Sequence, residues 1–181
     1  MAVIDRRYNS LPGGHGLPLQ DCPLSKSFKP RLRRLDWLYT DCPVYYLTVC
    51  TQDRREVLAN PQIHKSFATF AYRATDWHVL VGRYVIMPDH VHLFAAFSPA
   101  SPSLPTWMKS WKNALSKTLR QMHIPPRHWE KDYFDHVMRS AESYEQKWLY
   151  VRENPVRAGL VARWEDWPYQ GEIHRLMVKK L

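Results

Sequence analysis

The run YVIMPDHVHLF, residues 84–94, constrains the fold more than any other stretch. It joins the end of one strand-like segment, HVLVGRYVIM, to the start of another, HVHLFAAF, through Pro88-Asp89. Two β-prone segments linked by so short a turn are expected to pair antiparallel. Side chains alternate along a strand, so His90 and His92 share one face, about 7 Å apart, while Val91 and Leu93 point to the other. That second face is the expected core beneath helices. Two imidazoles on one face can converge on a single metal ion, each through one neutral nitrogen. Exposed histidines on a half-solvated strand are the competing reading, and this stretch alone leaves both open.

The flanking segments supply the rest of the sheet and its cover. VYYLTVCTQ, residues 44–52, is rich in β-branched and aromatic residues and reads as a strand. Asn60 and Pro61 have the chemistry of an N-cap and first helical residue, and Ile63, Phe67, Phe70 and Ala74 then recur at helical spacing. A second helix, TWMKSWKNALSKTLRQM, carries an apolar stripe of Trp107, Trp111, Leu115, Leu119 and Met122. RHWEKDYFDHVMR is ambiguous between strand and loop. A third helix runs through SAESYEQKWLYVREN with Ser140 as its N-cap; Pro155 ends it or bends it into a short segment closing at Gly159. This order predicts an α+β domain, an antiparallel β-sheet covered by α-helices. Residues 1–30 lack either period and are rich in Gly and Pro, which predicts a flexible N-terminal extension. The domain then occupies residues 31–181 and ends in a basic tail containing Arg175, Lys179 and Lys180.

A net charge of +9 and a pI near 9.6 favour polyanionic partners, nucleic acid or an anionic membrane. No stretch approaches the roughly 18 apolar residues of a spanning helix, and the amino terminus lacks a signal-peptide core. The expectation is therefore a cytoplasmic, nucleic-acid-facing protein with no membrane partner. Cys22, Cys42 and Cys50 lack Cys-x-x-Cys spacing, which argues for reduced thiols over a disulfide framework or zinc knuckle. Lys109, Lys112, Lys117 and Arg120 lie mostly off the stripe of the second helix, either as a solvated face or as phosphate contacts.

In the third helix the apolar stripe is Tyr144, Trp148 and Val151. At about 100° per residue Tyr150 falls roughly 120° from its centre, among Ser143, Gln146, Lys147 and Asn154. A surface tyrosine packed on its neighbours and a tyrosine with an available hydroxyl both fit that position.

MPDHVHLF followed downstream by YFDHVMRS and YVRENPVRAGLV resembles the REP-associated tyrosine transposases, a bacterial branch of the single-tyrosine HUH transposases. The likeness covers roughly residues 44–169, from YYLTVCTQDR to WEDWPY. It implies a ferredoxin/RRM-like HUH fold and a nuclease–ligase acting on single-stranded DNA beside hairpins of repetitive palindromic elements. His90 and His92 match the metal-binding pair, Tyr150 the nucleophile, and Asn154, one helical turn on, a polar third ligand. The implied cofactor is a divalent metal, Mg²⁺ or Mn²⁺. Arg31, Arg33, Arg34, the second-helix residues Lys109, Lys112, Lys117 and Arg120, and Arg157 become candidate DNA-backbone contacts. Trp107, Trp111, Trp129 and Tyr133 divide between core packing and base stacking. His136 fits the family pattern without a derived role. A catalytically silent hairpin-binding protein and an RNA-processing enzyme are the alternatives. Monomer or homodimer is undecided.

Overall fold

The computed structural model describes residues 42–178. The expected extension over 1–30, with Arg31, Arg33, Arg34, Lys179 and Lys180, lies outside the described residues. Five strands form one antiparallel sheet: β1 (Val44–Cys50), β2 (Val79–Ile86), β3 (His90–Phe97), β4 (Phe134–Val137) and β5 (Gln170–Glu172), in spatial order β4-β1-β3-β2-β5. Strand β3 is therefore the middle strand, and apart from His90 every residue in it is buried.

Alternation along β3 divides two packing layers. Val91, Leu93, Ala95 and Phe97 enter a core with α1 (Pro61–Arg73) and α2 (Leu104–Gln121). Phe94 and Ala96 face the other way, into a cluster with Tyr144 and Val151 of α3 (Ala141–Arg152). The sheet thus carries helices on both faces, and the histidines share the α3 side.

The local chemistry of the helices follows the sequence. Asn60 caps α1 by accepting from the Ile63 amide at 2.9 Å, and Ser140 caps α3 in a reciprocal box with Ser143. Pro155 bends the chain into the short α4 (Asn154–Arg157), and Gly159, at φ 70°, closes it where a side chain would be strained. Of the second-helix stripe, Trp107, Trp111, Leu115 and Leu119 are buried. Trp107 and Trp111 are core side chains, which removes them as base-stacking candidates. Trp129 packs at a tilt against Trp111 at 5.1 Å and donates its indole N–H to Ser116 Oγ, and Tyr133 packs against the same core.

The ambiguous segment resolves into β4, an edge strand paired with β1. β5, paired with β2 at the opposite edge, has no counterpart among the sequence expectations. No described helix is long and apolar enough to cross a membrane.

Candidate active site

The Pro88-Asp89 turn sets the position of the first histidine. Met87 N–H donates to the His90 carbonyl at 2.8 Å, while the Thr51 amide and hydroxyl both donate to the Asp89 carbonyl at 2.9 Å. The turn is thereby tied to the end of β1. Asp89 Oδ1 lies 2.6 Å from His90 Nδ1, and its other oxygen pairs with Arg54 at 3.1 Å. Burial alone would raise the Asp89 pKa, but the His90 hydrogen bond and charge, with Arg54, outweigh it and hold the carboxyl below its usual range. A carboxylate accepts from His90 Nδ1–H and leaves Nε2 as a lone-pair donor.

His92 is held differently. Thr48 is its cross-strand partner on β1, and the hydroxyls of Tyr46 and Thr48 lie 2.8 Å and 2.9 Å from Nδ1. The Tyr46 ring stacks on the imidazole at 5.7 Å. Burial, then the positive charges of His90, Arg54, Lys147 and Arg157, drives the His92 pKa well below its ordinary value, so the ring is neutral.

The two Nε2 atoms are 3.0 Å apart with the ring planes at 83°. Two nitrogens bound at about 2.1 Å and at right angles to one cation would be separated by about 3 Å. Two lone pairs at this distance repel unless a positive centre lies between them. A proton on one nitrogen donated to the other serves, and so does a metal ion. The pair therefore fits a divalent cation. Among the described residues no group of three or more His, Cys, Asp and Glu side chains converges on such a site.

Helix α3 lies over this face. Tyr144 packs on Phe94 at 4.6 Å, and the Lys147 ammonium sits over the Tyr46 ring at 5.3 Å. Burial lowers the Lys147 pKa. Tyr150 is partly buried against the α3-side cluster, with the Arg157 guanidinium over its ring at 4.0 Å. Arg157 also donates to the Tyr150 carbonyl at 2.7 Å and to Asn154 Oδ1, while Asn154 Nδ2 is buried without a hydrogen-bond partner. The nucleophile candidate thus rides on the helix that covers the histidine face, in a motif whose arginine reaches His92 electrostatically. The Asn154 oxygen is turned to Arg157.

The basic residues named from the sequence separate. Lys109, Lys117 and Arg120 are exposed on α2, across the sheet from the histidines. Lys112 is not a solvated charge: its ammonium donates to the carbonyls of Glu130, Lys131 and Asp132 at 2.7, 3.2 and 3.4 Å, and burial lowers its pKa. It clamps the segment before β4. Arg157, by contrast, stands at the site. His136 is exposed on β4, directly across from Tyr46. Sequence reasoning missed Tyr46, Thr48, Thr51, Arg54, Asp89 and Lys147. Strand alternation puts Tyr46 and Thr48 on one face, but only the β1–β3 register reveals which histidine they meet.

Comparison with known proteins agrees with this architecture. Residues 42–154 match the profile of the family described as "Transposase IS200 like". A putative REP-associated tyrosine transposase of Haemophilus influenzae is 22% identical over 147 residues, covering 76% of this chain and 83% of that protein. The REP-associated tyrosine transposase of Escherichia coli is 21% identical over 137 residues, covering 76% and 80%. A solved REP-associated tyrosine transposase bound to a REP hairpin superposes with a TM-score of 0.57 at 17% identity, over 79% of this chain and 94% of that one. At that identity the superposition establishes the fold, and the profile match establishes the family. The chain belongs to the IS200-like transposases, a family of single-tyrosine transposases of the HUH endonuclease class.

Proposed function

We propose that this protein cleaves and rejoins single-stranded DNA beside a hairpin through a covalent phosphotyrosine. The observation that carries the reading is the pair of Nε2 atoms 3.0 Å apart, each imidazole fixed through Nδ1 and both lying beneath the helix of Tyr150. His90 and His92 would hold Mg²⁺ or Mn²⁺, with the Asn154 amide oxygen as a third ligand once Arg157 releases it. A bound divalent ion supplies Lewis-acid neutralisation of the scissile phosphate and favours phenolate. The Tyr150 phenol oxygen then bonds to phosphorus as the strand P–O bond breaks, and the departing hydroxyl takes up a proton. The phosphotyrosine conserves that bond, so a free DNA hydroxyl reverses the step and rejoins the strand without ATP. Arg54, Lys147 and Arg157 place positive charge around the histidines for an incoming phosphate. The substrate class rests on family membership and the +9 charge. The reading carries the basic residues Arg31, Arg33, Arg34, Lys109, Lys117 and Arg120 as contacts to the rest of the DNA.

The test is a denaturing gel after incubation with Mn²⁺ and a hairpin oligonucleotide bearing a single-stranded flank. Wild type is expected to give a DNA-shifted protein band that chelator and His90→Ala diminish and Tyr150→Phe abolishes. A band of equal intensity in Tyr150→Phe removes the nucleophile. Hairpin binding without cleavage in either metal supports a silent hairpin-binding protein instead.

A further inference from the structure

The aromatic side chains for which the sequence left base stacking open lie in or against the core, yet among the described residues one aromatic on the histidine face is left open. Phe134 is 44% exposed on the edge strand β4. Its register partner is Thr48, whose partner on the other side is His92, so the three form one row across the sheet. Two strand spacings put Phe134 about 10 Å from His92. Its ring and that of Tyr46 meet edge to face at 6.1 Å, which steadies it while it stays largely exposed. The other exposed large aromatics among the described residues, Tyr72 and Trp77, belong to α1 and the turn that follows it, on the opposite layer.

A single exposed ring is ordinary on a protein surface; what sets Phe134 apart is its place in one cross-strand row with Thr48 and His92. The surroundings select an occupant. Lys147 lies over the same Tyr46 ring that Phe134 and His92 meet, so a cation, the open aromatic and the histidine share one neighbour on this face. A flat apolar surface flanked by positive charge matches a nucleobase joined to its phosphate, and every base offers such a face. We propose that Phe134 is a stacking platform for an unpaired base of the single-stranded flank, on the nucleotide next to the phosphate held at His90 and His92. This rests on the function proposed above and adds a binding subsite to it.

The probes are one DNA hairpin carrying either an oligothymidine flank or an abasic flank of equal length, so that phosphate count is constant. Wild type is expected to bind the thymidine flank more tightly. Phe134→Leu, which keeps an apolar side chain but loses the flat face, should remove roughly 5- to 150-fold of that preference and leave abasic binding unchanged. Phe134→Trp should retain it. A 5-iodouracil flank should photocrosslink to residue 134. Equal flank preference in wild type and Phe134→Leu, with hairpin binding intact, overturns the platform and leaves the function standing. Loss of binding to both probes in wild type overturns the two together.

Discussion

Hydroxyls, not a carboxylate, stand behind His92. A hydroxyl can donate to Nδ1 or accept from Nδ1–H, so Tyr46 and Thr48 serve both tautomers of the ring. His90, with Asp89 behind it, is fixed in one. The arrangement allows Nε2 of His92 to exchange a proton for a metal without losing its anchor. Because either hydroxyl suffices, Tyr46→Phe or Thr48→Val alone should lower Mn²⁺ affinity only a few-fold, while the double variant should lower it roughly 10- to 100-fold; titration calorimetry distinguishes additive from redundant support. His92 also links stability to pH in chelator. Its folded pKa lies below the unfolded value of about 6.5, so between the two the unfolded chain binds the extra proton and acid favours unfolding. The urea midpoint should be flat above about pH 6.5 and fall below it, less steeply in His92→Gln. The imidazoles were legible from a local pattern. Their partners were not, because Tyr46 and Thr48 sit more than forty residues away and meet His92 only through cross-strand register.

At the scale of elements, the signals that worked were those with a local cause. Asn60 and Ser140 announce their helices because a side-chain oxygen must satisfy a nearby amide, and both do so. Ser140→Ala should therefore cost about 1 kcal/mol by urea denaturation. Since the capped helix carries Lys147 and Tyr150, adduct formation should show the same loss only where unfolding begins. β4 and β5, four and three residues long, are too short to display period-two alternation, and Gln-Gly-Glu has no strand propensity of its own. Their pairing partners make them strands. The α2 stripe was legible as buried, but composition could not say which tryptophans face a core and which a ligand. With Trp111 fully buried, Trp111→Ala is expected to cost about 3–5 kcal/mol, visible as a lowered Tm.

Across the whole molecule, the sheet divides the positive charge into two populations. Lys109, Lys117 and Arg120 ride the α2 layer, whereas Lys147 and Arg157 border the histidines. Glutamine at all three α2 positions should shallow the salt dependence of hairpin binding, by about 0.9 in log–log slope for every duplex phosphate no longer neutralised, and leave adduct yield at saturating DNA unchanged. Lys147→Gln should do the reverse, slowing adduct formation by on the order of 10²-fold at saturating DNA. Single-turnover gels run at two salt concentrations separate these behaviours. The middle position of β3 carries a further consequence. Inserting one residue ahead of His90 would turn the row of Val91, Leu93, Ala95 and Phe97 to the α3 side and both imidazoles into the core under α1 and α2, and deleting one would do the same. Lineages descending from such a chain can lengthen its loops and tails at little cost, but this strand tolerates no change of length, because the same frame that seals the fold also aims the chemistry.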